Sequence, residues 1–209
     1  MRKIIKYLRR STGYIFCIML LLFLQAYCDL SLPAYTSDIV NVGIQQRGIL
    51  DGVPEEIRVS SMENLELFLD EDSRSQAEGY YEKDGDRYVL KEGISKEERE
   101  SLNDVLGKPI LMLYALTQDP ERIQTLKEQM NLPPEADLLE TIRQMPPEAM
   151  NQMRQMLEES SKQIDQMPES LITQTAVAYV QQEYQELGLD IDQIQIRYIL
   201  KIGLLMLGI

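Results

Sequence analysis

Histidine is absent from all 209 residues. That excludes imidazole zinc sites, Ser-His and Cys-His nucleophile pairs, and a protonation switch near neutral pH. Cysteine occurs only at Cys17 and Cys28, both in the first apolar segment. Eleven residues along a helix separate them by about 16 Å, too far to bond to each other. The rest of the chain must hold together without disulfides. No Gly-x-x-x-x-Gly-Lys-Ser/Thr loop is present, so this sequence carries no phosphate cradle for ATP. No acid pair has a recognisable glycosidase or protease setting, which weighs against a secreted enzyme. Basic residues are also scarce. Beyond residue 10 there are 16 against 34 acidic ones, a balance of −18 within a whole-chain charge of −13. Nucleic acid, whose phosphates demand Lys and Arg, is excluded as a partner. Docking of the acidic segment on an anionic lipid surface is disfavoured too. The charge suits solubility, with capture of cationic ligands as the sharper alternative.

What is present begins with a topology signal. Arg2, Lys3, Lys6, Arg9 and Arg10 crowd the first ten residues without an acid. Residues 11–28 then carry no charge, and Tyr14 to Leu24 is continuously apolar. Eighteen uncharged residues in a helix cover about 27 Å, close to a hydrocarbon core. Arg47 is the only basic residue between that stretch and Arg58. Basic flanks stay cytoplasmic, so residues 1–10 are expected inside and the chain beyond about Ser31 outside. A cleaved signal peptide is the competing reading. Gln25-Ala26-Tyr27-Cys28 offers no small-x-small cleavage site, and Tyr27 is too bulky to precede a lipidated Cys28. A retained helix is therefore expected. At the other end, the apolar run Ile202 to Ile209 is about 12 Å long as a helix, short of a span. The expectation is a second membrane helix cut short, in the front piece of a longer membrane protein.

Between about Gly52 and Asp190 lie enough residues for one small domain. Its sequence predicts a mostly helical body with one β-hairpin. Tyr80 to Lys83 and Asp86 to Val89 flank Asp84-Gly85, a favoured two-residue turn, with Tyr81 opposite Tyr88 and Glu82 opposite Arg87. Ser95 and Glu98 have capping-box spacing ahead of Leu102, Val105 and Leu106. Asp119-Pro120 reads as a helix cap and first residue. Pro133-Pro134-Glu135-Ala136 and Pro146-Pro147-Glu148-Ala149 repeat one tetrapeptide, and each is expected to open a helix. The second of those helices is expected to reach about Asp165, and a further one runs from about Glu169 to Leu187 before Gly188. Pro109 to Leu116 is too short to span and is expected to be the buried centre. Met150, Met153 and Met156, with Met145 and Met167 near, read as a core or contact stripe rather than a Cu(I) site. Asp70-Glu71-Asp72 lacks the alternating oxygens and glycine of a calcium loop and reads as solvated loop. Asp190, between Leu189 and Ile191, has no recognisable catalytic setting. Asp29 sits just past the apolar stretch, embedded or at the headgroup level.

The stretch Leu24-Gln25-Ala26-Tyr27-Cys28-Asp29-Leu30-Ser31-Leu32-Pro33-Ala34-Tyr35-Thr36-Ser37-Asp38-Ile39-Val40-Asn41-Val42-Gly43-Ile44 resembles the end of the first transmembrane helix in bacterial ABC exporters. In these a membrane domain is fused to an ATP-binding domain. One subgroup carries a proline and then Ser-Asp-Ile-Val-Asn-x-Gly-Ile at the outer mouth. The tail from Arg197 to Ile209 is similar to the opening of that family's second helix. The likeness covers residues 1–47 and about 190–209. It departs from the common pattern in its long first outer loop, which an inserted external domain would explain. The remaining helices and the nucleotide-binding domain of such a protein lie outside this sequence. The resemblance implies ATP-driven export of an unidentified substrate by the full-length protein. It also implies a second half-transporter, identical or different, and a multi-pass location in the bacterial cytoplasmic membrane. ATP and Mg2+ would belong to the nucleotide-binding domain; it assigns no cofactor, metal or catalytic residue here. Asp29, Pro33, Asp38 and Asn41, around the outer end of the span, are the candidates for shaping an external gate.

The expected organisation is thus mainly α. It comprises a basic segment 1–10, a first span 11–33, an outer-mouth motif 34–51, an external helical domain 52–190 with one hairpin, and the start of a second span 191–209. The domain alone is expected to be soluble. The alternative is a membrane-anchored binding or sensor module without transport.

Overall fold

Nothing between Gly13 and Leu24 interrupts a helix: the run has no charge and no proline. In the computed structural model, which describes residues 12–118, 120–145 and 168–208, helix α1 spans Thr12–Asp38. It continues as a π-helix over Ile39–Gln45. Among the described residues one helix, Gly13–Gln45, is long and apolar enough to span a membrane or to act as a signal sequence. Its apolar window is bare of protein contacts that would bury it. Pro33, expected at the end of the first span, lies inside α1. Its ring costs the helix one donor, yet the helix carries on for another turn. Ser31 Oγ and Thr36 Oγ1 donate back to the carbonyls of Tyr27 and Leu32 at 2.8 and 2.9 Å. The rod ends where Arg47 (φ 54°) and Gly48 (φ 85°) take left-handed conformations.

The chain forms two compact units. One takes residues up to Gly48 together with those from Asp192 onward, and the other is Ile49–Ile191. The second unit holds a three-stranded antiparallel sheet, β1 (Glu56–Arg58), β2 (Tyr81–Asp84) and β3 (Arg87–Leu90), in the order β1-β3-β2. Around it lie α2 (Val59–Glu66), α3 (Glu71–Tyr80), α4 (Lys96–Gln118), α5 (Pro120–Gln129), α6 (Leu138–Arg143) and α7 (Glu169–Glu186). Helix α8 (Ile191–Leu207) follows. The molecule is therefore mainly helical, with a long apolar N-terminal helix and a small sheet.

The hairpin forms, but its turn is Gly85-Asp86 rather than Asp84-Gly85. Tyr81 pairs with Leu90, Lys83 with Tyr88 and Asp84 with Arg87. Gly85 takes φ 64° while Asp86 does not enter the positive region. That sign pattern belongs to a turn with glycine at its first central position, and it sets the register. Two positions of slip keep each side chain on its predicted face. Tyr81 and Leu90 are buried together, and Lys83 Nζ sits 5.9 Å over the Tyr88 ring. Strand β1 was not expected.

Helix α4 begins with both capping-box bonds: Glu98 N donates to Ser95 Oγ and Ser95 N to Glu98 Oε2, at 3.2 and 2.8 Å. Hydrogen bonding to the carboxyl from Ser95, its backbone N–H first and its side chain second, holds Glu98 below its usual pKa. The helix runs through Pro109. Leu102, Leu106, Ile110 and Leu113, at spacings of four and three, form its buried stripe. They share the core with Ile57, Met62, Leu65, Ala176, Val177 and Val180. Helix α5 starts at Pro120 as expected; Asp119 lies outside the described residues.

Two further expectations are corrected. Pro133-Pro134-Glu135-Ala136 forms a turn, not a helix start. Asp137 wins the cap, its Oδ1 accepting from Leu139 N and Glu140 N at 2.9 and 3.2 Å. Asp70-Glu71-Asp72 is not loop: Asp70 caps α3 through Ser73 N at 2.7 Å, and Glu71 and Asp72 fill the first turn, where the helix dipole favours acids. Helix α7 ends as read. Gly188 takes φ 72°. Leu189 N bonds Tyr184 O and Gly188 N bonds Gln185 O, the paired bonds of a glycine-closed terminus. The basic residues 2–10, the second Pro-Pro-Glu-Ala, the helix read to about Asp165, Met150, Met153, Met156, Met167 and Ile209 lie outside the described residues.

Candidate functional site

The four gate candidates all fall on the rod. Asp29, Pro33 and Asn41 are exposed, and Asp38 is half-buried. Asp29, Pro33, Ser37 and Asn41 step by four, so they follow one slowly drifting line along the helix. Asn41 Nδ2 donates to Ser37 Oγ at 2.9 Å. Asp29 to Asn41 covers about 18 Å of helix, too long for the four to converge on one small ligand. No hydrogen bond or ion pair joins any two of them. The arrangement is a polar stripe at one end of an apolar rod.

That end of the rod meets α8, through contacts the sequence did not reveal. The π-helical ladder bonds Gln46 N to Asn41 O at 3.0 Å, and then Gly48 N to Val42 O at 2.8 Å. With Gly48 N taken, the Gly43 carbonyl has lost its next donor in the ladder. Gln195 Nε2 of α8 supplies one at 2.9 Å. Gly43 itself is buried, and a Cβ there would stand 2.8 Å from Ile199 Cγ1. A Cβ on Gly48 would lie 2.9 Å from the Ile194 carbonyl. Arg47 Nη2 pairs with Asp192 Oδ1 at 2.9 Å, with both side chains well exposed. The rod end and α8 thus form a neck in which Gly43 admits the Ile199 side chain, Gly48 admits the α8 backbone, and one amide completes a helix terminus. Arg47 and Asp192 are 145 positions apart, so no local pattern could have flagged them.

Among the described residues the folded unit holds one buried carboxylate. Glu183 on α7 is 2% exposed. It accepts from Arg58 N, Arg58 Nε, Arg58 Nη2 and Ser61 Oγ at 2.8 to 3.0 Å. Hydrogen bonding to Glu183 outweighs burial and raises the Arg58 pKa. With donors on both oxygens, Glu183 is a clasp between β1, α2 and α7. It is poorly placed to act as a reactive acid or base. A second cluster joins Arg99 to Asp51 (2.7 Å), Glu55 (2.7 Å) and the Val53 carbonyl (3.0 Å). Burial works to lower the Arg99 pKa, but Asp51 and Glu55 prevail and raise it. Tyr184 accepts from Glu55 N at 2.7 Å, and Tyr81 donates to the Pro54 carbonyl at 2.8 Å. Burial pushes the phenols of Tyr81, Tyr179 and Tyr184 above their ordinary pKa.

Among the described residues no group of acids, cysteines or histidines could hold a metal ion. One open hollow of about 500 Å³ lies on α8, lined by Arg197, Leu200, Lys201, Leu204 and Leu205. The chain matches no family model, no curated protein and no solved structure.

Proposed function

We propose that this chain supplies the first membrane hairpin of an ATP-driven exporter half of the ABC type. On this reading the N-terminus is cytoplasmic and α1 is the first span. Residues 52–190 form an external domain, and α8 re-enters the lipid as the beginning of the second span. ATP and Mg2+ act at a nucleotide-binding domain elsewhere in such a protein, and a second half completes it. The observation that supports the reading best is the neck. A bare apolar rod is joined at its far end, by Gly43, Gln195 and the Arg47–Asp192 pair, to a second apolar helix. A helix apolar all round and unburied needs lipid as its solvent. The polar line through Asp29, Pro33 and Asn41, with Asp38 beside it, then lies at the outer mouth and shapes the gate. A membrane-anchored binding module without transport is the second reading. It is favoured because only one helix among the described residues has full spanning length.

Topology is tested with Glu92→Cys in a Cys17→Ser/Cys28→Ser background, probed by a membrane-impermeant maleimide on intact cells. Labelling without permeabilisation is the expected result; labelling only after lysis rejects the membrane hairpin. Coding DNA running in frame past codon 209 into further apolar segments and a phosphate loop favours the exporter, and a stop codon there favours the anchored module. In the full-length protein, Asp38→Ala with Asn41→Ala is expected to alter export, and unchanged export removes the gate role.

A further inference from the structure

Helix α8 has two opposite faces. Gln195, Tyr198, Ile199 and Ile202 lie on the side of the neck: Gln195 bonds Gly43, Tyr198 and Ile199 flank it, and Ile202 is buried. Arg197, Leu200, Lys201 and Leu204, at i, i+3, i+4 and i+7, lie half a turn away and are exposed with Leu205. These five line the open hollow. Its lining is almost wholly apolar, the three leucines with the stems of Arg197 and Lys201, whose charges are carried one turn apart along the helix, a rise of about 6 Å. Asp192, the only acid within α8, is engaged by Arg47 at 2.9 Å. No ion pair to Arg197 or Lys201 occurs among the described residues.

We propose that this hollow binds an anionic phospholipid. The phosphate sits between Arg197 and Lys201, and an acyl chain lies along Leu200, Leu204 and Leu205. The inference rests on the membrane reading given above. Two cations entering hydrocarbon without a counter-ion are costly, and a phosphate at the interface relieves both. Arg supplies a planar fork that matches phosphate oxygens, while Lys adds a point charge. A free anion would leave the three leucines unused, and an apolar peptide would leave the cations uncompensated. A zwitterionic headgroup brings its own cation and gains less.

The test uses the full chain, purified in detergent, mixed with phosphatidylglycerol or phosphatidylcholine and read by native mass spectrometry. Retention of phosphatidylglycerol roughly tenfold or more above phosphatidylcholine is expected from two interfacial cations. Arg197→Gln with Lys201→Gln is expected to abolish that preference while helical content stays unchanged, and Lys201→Arg is expected to keep it. Equal retention of both lipids, or an unaltered preference in the double variant, overturns the proposal. So does displacement of the lipid by millimolar inorganic phosphate, which would mark a site for the free ion. The membrane reading is checked separately by flotation with neutral vesicles: a chain that fails to float there rejects that reading, whatever the headgroup preference.

Discussion

Residues 14–24 and residues 102–113 are both helical and both rich in leucine, yet their side chains meet opposite fates. In the rod, Leu20, Leu21 and Leu22 are 56, 61 and 58% exposed, while Leu102, Leu106 and Ile110 of α4 are fully buried. The difference lies in spacing. Helix α4 alternates its apolar positions with Glu, Asn, Asp and Lys, so one stripe is sealed and the other stays wet. The rod has apolar side chains on every side, so no packing against one neighbour could cover it. The same residue types are thus sealed in a protein interior in one helix and left bare in the other, by periodicity alone.

Paired truncations probe this contrast directly. Leu106→Ala is expected to destabilise the folded unit by about 2–5 kcal/mol, through lost burial and the cavity it leaves. Urea unfolding followed by circular dichroism measures it, and a loss below about 1 kcal/mol would mean the α4 stripe is not core. Next in size is Glu183→Ala, which strands the Arg58 backbone N–H, Ser61 and the Arg58 side chain. Because the Arg58 side chain is 37% exposed and can turn to water, a loss of about 2–3 kcal/mol is expected. The helical signal of the rod should be unchanged.

A third prediction concerns alkaline pH. Tyr81, Tyr179 and Tyr184 hold their protons more firmly when folded than the ordinary phenol near pH 10. Below that pH both states are protonated and the stabilisation is complete. Above it the unfolded chain releases protons that the folded one keeps, so stability falls as pH rises. The urea midpoint should drop between about pH 9.5 and 11.5, and Tyr184→Phe should flatten the slope. A flat profile in the parent chain would count against burial of these phenols. The smallest effect is expected from Leu21→Ala, within about 0.5 kcal/mol for the folded unit. An effect as large as that of Leu106→Ala would erase the contrast between the two helices.

Legibility in the sequence followed the range of the interaction. The Ser95–Glu98 box, the Gly188 terminus and the faces of the hairpin depend on residues within five positions, and each was readable. The hairpin turn slipped by one position because Asp-Gly and Gly-Asp are both acceptable turns, and the sheet pairing decides between them. Pro-Pro-Glu-Ala resembled a helix opener, but Asp137 offered the stronger cap four residues after Pro133. Strand β1 is three residues long, too short for alternation to register; it exists because β3 pairs with it and because Glu183 clasps Arg58. The polar line at the rod end was visible locally. The neck was not, because Gly43 and Gln195 meet only after the intervening chain has folded back.

The Arg47–Asp192 contact brings together the two ends of everything from Ile49 to Ile191. A segment whose entry and exit are neighbours behaves as a cassette: splicing it out and closing the gap with a tight turn should leave the helix pair intact. The same junction would accept an unrelated domain whose own termini lie side by side.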